Sequence, residues 1–188
     1  MIYFTSDWHL GHRAALKFTD RPFHDVEEEA EILIRNTNEL CSKEDDLYIL
    51  GDFAYRIGRI NAECYLSCLQ PKLHLLRGNH DKQYNPHLFV ELAEYLEITY
   101  AGSTFSLFHY PIESWYRMHY GGYMIHGHIH SIGKDYNLRM RSEGKRKYDV
   151  GVDANDFRPV SVEEIVQFFE GMPILNKAKQ GEKEHEEV

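Results

Sequence analysis

Five short apolar runs in this chain each end in Gly, Asp, Asn or His, and that repetition limits the fold more than any other feature. Residues 2–6 run into Asp7-Trp8-His9, and Leu47 to Leu50 into Gly51-Asp52. Leu73 to Leu76 leads through Arg77 to Gly78-Asn79-His80-Asp81. Phe105 to Phe108 ends at His109, and Tyr123 to Ile125 ends at His126-Gly127-His128-Ile129-His130. Apolar runs this short read as buried strands. The C-terminal ends of strands are where open α/β folds place their sites.

The stretches between these runs fix the class. Asp25 can cap a helix that Glu28 answers from its third position. Ala30, Leu33, Ile34, Thr37, Leu40 and Cys41 then follow the helical period. Residues 61–69 suit a second helix, stopped near Pro71. Strand alternating with helix implies parallel strands joined by crossovers. The second half differs. Leu96 to Tyr100 and Thr104 to Phe108 flank Ala101-Gly102-Ser103 as in a hairpin. Tyr148 to Val152 reads as a further strand. Ser161-Val162-Glu163-Glu164 is a capping box, opening a last helix with Val162, Ile165, Val166 and Phe169 on one face. The inferred architecture is two sheets packed together with helices outside.

The 188 residues suit one domain, with 1–175 as its body and 176–188 as a charged tail expected to be disordered. With 21 basic and 30 acidic residues the net charge is -9, which argues against an extended nucleic-acid surface. A phosphate-bearing substrate stays compatible, because divalent metals reverse the local field. No run has transmembrane length and no signal-peptide pattern opens the chain, so a cytoplasmic location is expected. Cys41, Cys64 and Cys68 read as reduced core residues.

Each polar cluster alone is a weak signal, since isolated motifs carry many false positives. Together they gather carboxylates and imidazoles at one edge. Asp7 and His9 are alternate residues, so both can bind one ion. Gly51 permits a sharp turn before Asp52, whose carboxylate can bridge two cations.

The ordered set Asp7-x-His9, Gly51-Asp52, Gly78-Asn79-His80-Asp81, His109 and Gly127-His128-x-His130 closely resembles the calcineurin-like metallophosphoesterases. The resemblance runs from residue 3 to about residue 130, and points to small bacterial and phage phosphoesterases without a large cap domain. It implies a four-layer α-β-β-α sandwich of two mixed sheets. It implies one metal held by Asp7, His9, Asp52 and His130, and a second held by Asp52, Asn79, His109 and His128. His80 is then the acid that faces the leaving group, with Asp81 orienting it. Two cations about 3.5–4 Å apart lower the pKa of a shared water, and the hydroxide attacks phosphorus in line. A nitrogen-and-oxygen donor set without sulfur suits manganese, iron, zinc, cobalt or nickel.

Three further features stand outside the pattern. His12 is a candidate substrate contact or brace, and a loop histidine is the plain alternative. Residues 110–123 are rich in aromatics and can wall the site or fill the core. Lys134 to Lys147 holds six basic residues against two acidic ones. Arg139 and Arg141 there are candidate phosphate contacts, although a solvated hairpin is the usual meaning of such a run.

The expected function is phosphodiester hydrolysis, with phosphomonoesters as a second class and a nucleotide as a candidate substrate. Competing functions are a non-catalytic scaffold on the same fold and a nuclease component of a larger complex. Intact Asn79, His80, His128 and His130 weigh against the scaffold. The acidic balance weighs against the nuclease.

Overall fold

The computed structural model describes residues 1–174. In chain order the elements are β1 (Ile2–Thr5), α1 (Ala15–Phe18), α2 (Val26–Leu40), β2 (Asp46–Ile49), α3 (Arg59–Ser67) and β3 (Lys72–Leu76). There follow β4 (Glu91–Ala93), β5 (Tyr95–Tyr100), β6 (Ser103–Phe108), β7 (Tyr123–His126), α4 (Asp135–Ser142), β8 (Lys147–Asp149), β9 (Val160–Ser161) and α5 (Val162–Phe168). One sheet has the order β4-β3-β2-β1-β9, parallel except for β9. The other has the order β5-β6-β7-β8, an antiparallel hairpin followed by parallel strands.

Alternate side chains of the first sheet serve two different layers. Leu47, Ile49, Leu73 and Leu75 meet Ala30 and Leu33 of α2 and Ala62 and Leu66 of α3. Phe4, Tyr48, Leu50 and Leu76 face Phe105, Leu107, Tyr123 and Ile125 of the second sheet. Each such side chain, fully buried, contributes about 1.5–3 kcal/mol. Val162, Ile165 and Phe169 of α5 close this inter-sheet core. Helix α4 lies along β8, tied by Asn137, which donates to the Asp149 carbonyl at 3.1 Å and accepts from its N–H at 2.8 Å. The chain is thus an α-β-β-α sandwich of two mixed sheets.

The caps form as expected, with one change. The Asp25 carboxylate accepts from Glu28 N–H at 2.9 Å, but Glu28 reaches past Asp25 to the N–H of His24, at 2.6 Å. The Ser161–Glu164 box is complete in both directions.

Three expectations need correction. Strand β8 stops at Asp149, and Val152–Ala154 winds into a 3-10 turn. The basic stretch is a helix and not a hairpin, because Asn137 and Met140 bury on one side of α4. Only Cys41 is buried; Cys64 on α3 and Cys68 at its C-terminal cap lie exposed, and the inner face of α3 is taken by Ala62 and Leu66. The tail 176–188 lies outside the described residues.

The strand ends are stitched together at one edge. Ser6 pairs with Gly151 in a parallel bridge that joins the two sheets. Asp7 N–H donates to the Gly51 carbonyl at 3.1 Å, and Gly127 N–H to the His109 carbonyl at 3.0 Å. The five polar clusters therefore share one rim.

Candidate metal centre

At that rim the backbone leaves the strands abruptly. Asp7, His9, Asp52, His128 and His130 all adopt positive φ, between 47° and 73°. Such left-handed geometry costs a non-glycine residue about 1–3 kcal/mol and persists only where the surroundings impose it. Crowding between the loops imposes it here. A Cβ on Gly127 would stand 2.0 Å from Ser6 Oγ and 2.3 Å from Asp7 Oδ2, so only glycine lets these loops meet.

The two buried carboxylates are held alike. Asp7 accepts the N–H of His128 on Oδ2 at 2.8 Å, and its Oδ1 is buried without a hydrogen-bond partner among the described residues. Asp52 accepts the N–H of His80 on Oδ1 at 2.8 Å. Its Oδ2 lies 3.4 Å from His9 Nε2 and 3.5 Å from His109 Nε2. Each carboxylate thus has one oxygen tied to the facing loop and one turned toward imidazoles.

The histidines are oriented from behind. His109 Nδ1 pairs with the Leu50 carbonyl at 2.7 Å, which requires Nδ1 to donate. In the neutral ring Nε2 is then a bare acceptor, 3.1 Å from the Asn79 side-chain oxygen, a second acceptor. His130 Nδ1 lies 3.1 Å from Asp153 Oδ2, leaving Nε2 3.9 Å from Asp7 Oδ1. Fixing one ring nitrogen so that the other is free is the usual arrangement of a metal-ligating histidine. Both nitrogens of His9 are buried without a hydrogen-bond partner among the described residues.

These atoms fit divalent cations. Donors each about 2.1 Å from one ion lie about 3–4 Å apart. The His9–Asp7, His130–Asp7 and His9–Asp52 pairs span 3.9, 3.9 and 3.4 Å. Two groups have donors within 4.8 Å of one another: Asp7, His9 and His130, and Asp7, Asp52 and His109. Buried acceptors left facing one another are costly, and a cation removes that cost.

The pKa shifts follow from the same crowding. Burial pushes Asp7 up to about 7, against the pull of His109 and His130. Burial opposes ionisation of Asp52 too, but the His109 and His9 imidazoles beside it and the N–H of His80 hold it far below the ordinary carboxylate range. Burial also lowers His9.

Residues 1–173 match the calcineurin-like phosphoesterase family across nearly the whole described chain. The chain belongs to the calcineurin-like phosphoesterase family. An uncharacterized protein of Methanocaldococcus jannaschii is 34% identical, covering 90% of this chain and 91% of that protein. The gene 66 protein of Mycobacterium phage L5 is 27% identical over 81% of this chain and 86% of its own length. A solved structure from Aquifex aeolicus, of a protein of unknown function, superposes with a TM-score of 0.69 at 24% identity. It covers 89% of this chain and 98% of its own, and shows a shared fold.

Within this calcineurin-like phosphoesterase the other expected residues fall into three groups. Asn79 and His128 are exposed at the rim, with the His128 ring 5.0 Å from His109 and 4.6 Å from Tyr110. His12 and His80 border the centre, at 5.6 Å and 5.3 Å from the His9 ring. Arg139 and Arg141 are engaged elsewhere. Arg139 lies over Tyr136 and near Glu143; Arg141 lies over Phe168 and donates to the Glu170 carbonyl. These contacts hold both side chains along α4 and toward α5.

Asp81 is held by four hydrogen bonds. Its Oδ2 accepts from the N–H of Asp52 at 2.8 Å and of Gly78 at 2.9 Å. Its Oδ1 accepts from the N–H of Phe53 at 3.0 Å and the hydroxyl of Tyr84 at 3.1 Å. Those bonds occupy the carboxylate, and none goes to His80. Asp81 fastens together two loops of the candidate centre.

The largest omission of the sequence reading is Arg21. It is buried, and every N–H it owns is used. It grips Asp153 through Nε and Nη2 at 2.7 and 2.8 Å, and Glu29 through Nη1 at 2.6 Å. It also donates to the carbonyls of Trp8 at 2.7 Å and Asp7 at 2.8 Å. The only signal was the acidic crowding of α2, which the helix dipole already explained.

Proposed function

We propose that the chain is a hydrolase of phosphodiester bonds, with phosphomonoesters as a second class, that works with two divalent transition-metal ions, manganese foremost. The observation that carries this reading is the placement of Asp52 Oδ2 between His9 and His109, 3.4 and 3.5 Å from their Nε2 atoms. One oxygen between two sets of imidazoles is what a bridging carboxylate requires.

Asp7, His9, Asp52 and His130 would hold one ion, and Asp52, Asn79, His109 and His128 the other. Asp7 also lies close enough to Asp52 and His109 to share in the second set. When bound, such ions supply Lewis acidity toward the phosphoryl oxygens and lower the pKa of water. The protein's own task is to aim and to move protons. His80, half-buried beside His9, would give a proton to the departing alkoxide. That contribution is commonly about 10²–10⁴-fold in rate. Its backbone N–H holds Asp52, so the acid and the bridging carboxylate are fixed by one loop.

The test is a hydrolysis screen of metal-stripped protein reloaded separately with manganese, iron, nickel, zinc or cobalt. Bis(p-nitrophenyl) phosphate and p-nitrophenyl phosphate report the two ester classes. Turnover restored by at least one metal is expected, faster on the diester. Inactivity with every metal on both esters would leave the scaffold function in its place.

A further inference from the structure

A row of aromatic rings borders the side of the centre where His9 and His130 stand. Phe18, the last residue of α1, is 58% exposed. Its ring meets His130 edge-on at 6.0 Å and 85°, and His12 at 5.6 Å and 68°. His12 stacks on Tyr55 at 3.8 Å and 23°. Tyr55 in turn meets His80 at 5.0 Å and 75°. Each ring touches the next, from solvent to the proposed leaving-group acid.

The row is firmly mounted. Leu10 and Ala54 form a β-bridge, and Tyr55 N–H donates to the Leu10 carbonyl at 3.0 Å. Gly11 backs onto Ile57 so closely that a Cβ would lie 2.1 Å from Ile57 Cγ2. The two loops therefore cannot slide apart easily. The Arg56 guanidinium lies 5.0 Å from the Tyr55 ring centre.

Core packing does not account for Phe18, because more than half of it faces water. Metal ligation does not account for it either, because it has no donor atom. A planar, π-rich ring on the substrate would use what Phe18 offers: an uncovered apolar face beside the reacting phosphate. Stacking of that kind tolerates any base.

We propose that Phe18, backed by His12 and Tyr55, is a subsite for the base of a nucleotide whose phosphate sits at the metal centre. This rests on the phosphoester reading above and names its substrate class. The residues 110–123 do not supply this wall, except that Tyr110 borders Asn79 and His128 on the opposite side.

The test is calorimetry of the manganese-loaded full chain with AMP and with ribose 5-phosphate, which lacks the base. About tenfold tighter binding of AMP is expected. Phe18→Ala should bring the two affinities close to equal, and Phe18→Trp should keep the preference. Equal affinities in the wild type, or a preference undiminished in Phe18→Ala, would overturn the subsite. Hydrolysis of bis(p-nitrophenyl) phosphate, measured on the same preparations, separates the two claims. Turnover without a base preference rejects the subsite alone. A Phe18-dependent preference without turnover keeps the subsite and rejects the hydrolase.

Discussion

Arg21 and Asp153 are joined by a two-pronged ion pair, with Nε to Oδ1 at 2.7 Å and Nη2 to Oδ2 at 2.8 Å. The same Oδ2 lies 3.1 Å from His130 Nδ1. A buried cation, 132 residues away in sequence from its partner, thereby sets the direction of a proposed metal ligand. Arg21→Met should remove the cation and leave Glu29 and Asp153 buried together. Breaking such a pair costs about 3–5 kcal/mol. Chemical denaturation of the metal-stripped protein should show that loss, and Arg21→Lys should not recover it, because an ammonium cannot span Asp153, Glu29 and two carbonyls.

Asp153→Asn removes the carboxylate behind His130 while keeping its shape. Loss of such a support commonly lowers metal affinity about 10–100-fold. Competition with a fluorescent chelator reads this directly. An unchanged affinity would mean that Asp153 serves Arg21 only.

Asp7 has a folded-state pKa of about 7 against an ordinary 3.8. A raised carboxyl favours folding most when protonated, below about pH 4, and that contribution is lost as pH rises through 7. Asp7→Asn cannot ionise. In metal-stripped protein the stability of Asp7→Asn relative to wild type should therefore climb from pH 4 to pH 8. Thermal melts of both proteins across that window test it; a constant difference would place Asp7 in a wetter setting than its complete burial indicates.

His80 and Asp81 are neighbours in sequence with opposite expected phenotypes. His80→Ala should lower turnover about 10²–10⁴-fold with metal content intact. Asp81→Asn should chiefly lower stability, because its amide nitrogen must face a backbone N–H that now meets a carboxylate oxygen. Melting temperature and turnover, measured on both variants, separate the roles.

The parts that were legible in the sequence are those carried by local pattern. Asp7, Asp52, His109 and His130 could be found because each follows an apolar strand. Helix α4 could not, because its sequence, Asp-Tyr-Asn-Leu-Arg-Met-Arg-Ser, buries an asparagine and a methionine and shows no apolar stripe. Strand β9 has two residues, too few to show a period. Cys64 and Cys68 have helical spacing, but spacing alone does not say whether those positions turn inward, and Cys68 only caps the end of α3. Arg21 and the hydrogen bonds of Asp81 were hidden for a deeper reason. Their partners are backbone groups and carboxylates brought in by the tertiary fold, and no local signal marks them.

The central claim is that Asp52 joins two cation sites. The most direct test is to count manganese by elemental analysis in reconstituted wild type and Asp52→Asn, side by side. Two ions per chain are expected in the wild type, falling to one or none in Asp52→Asn. Two ions retained by Asp52→Asn, or fewer than two in the wild type, would contradict the account.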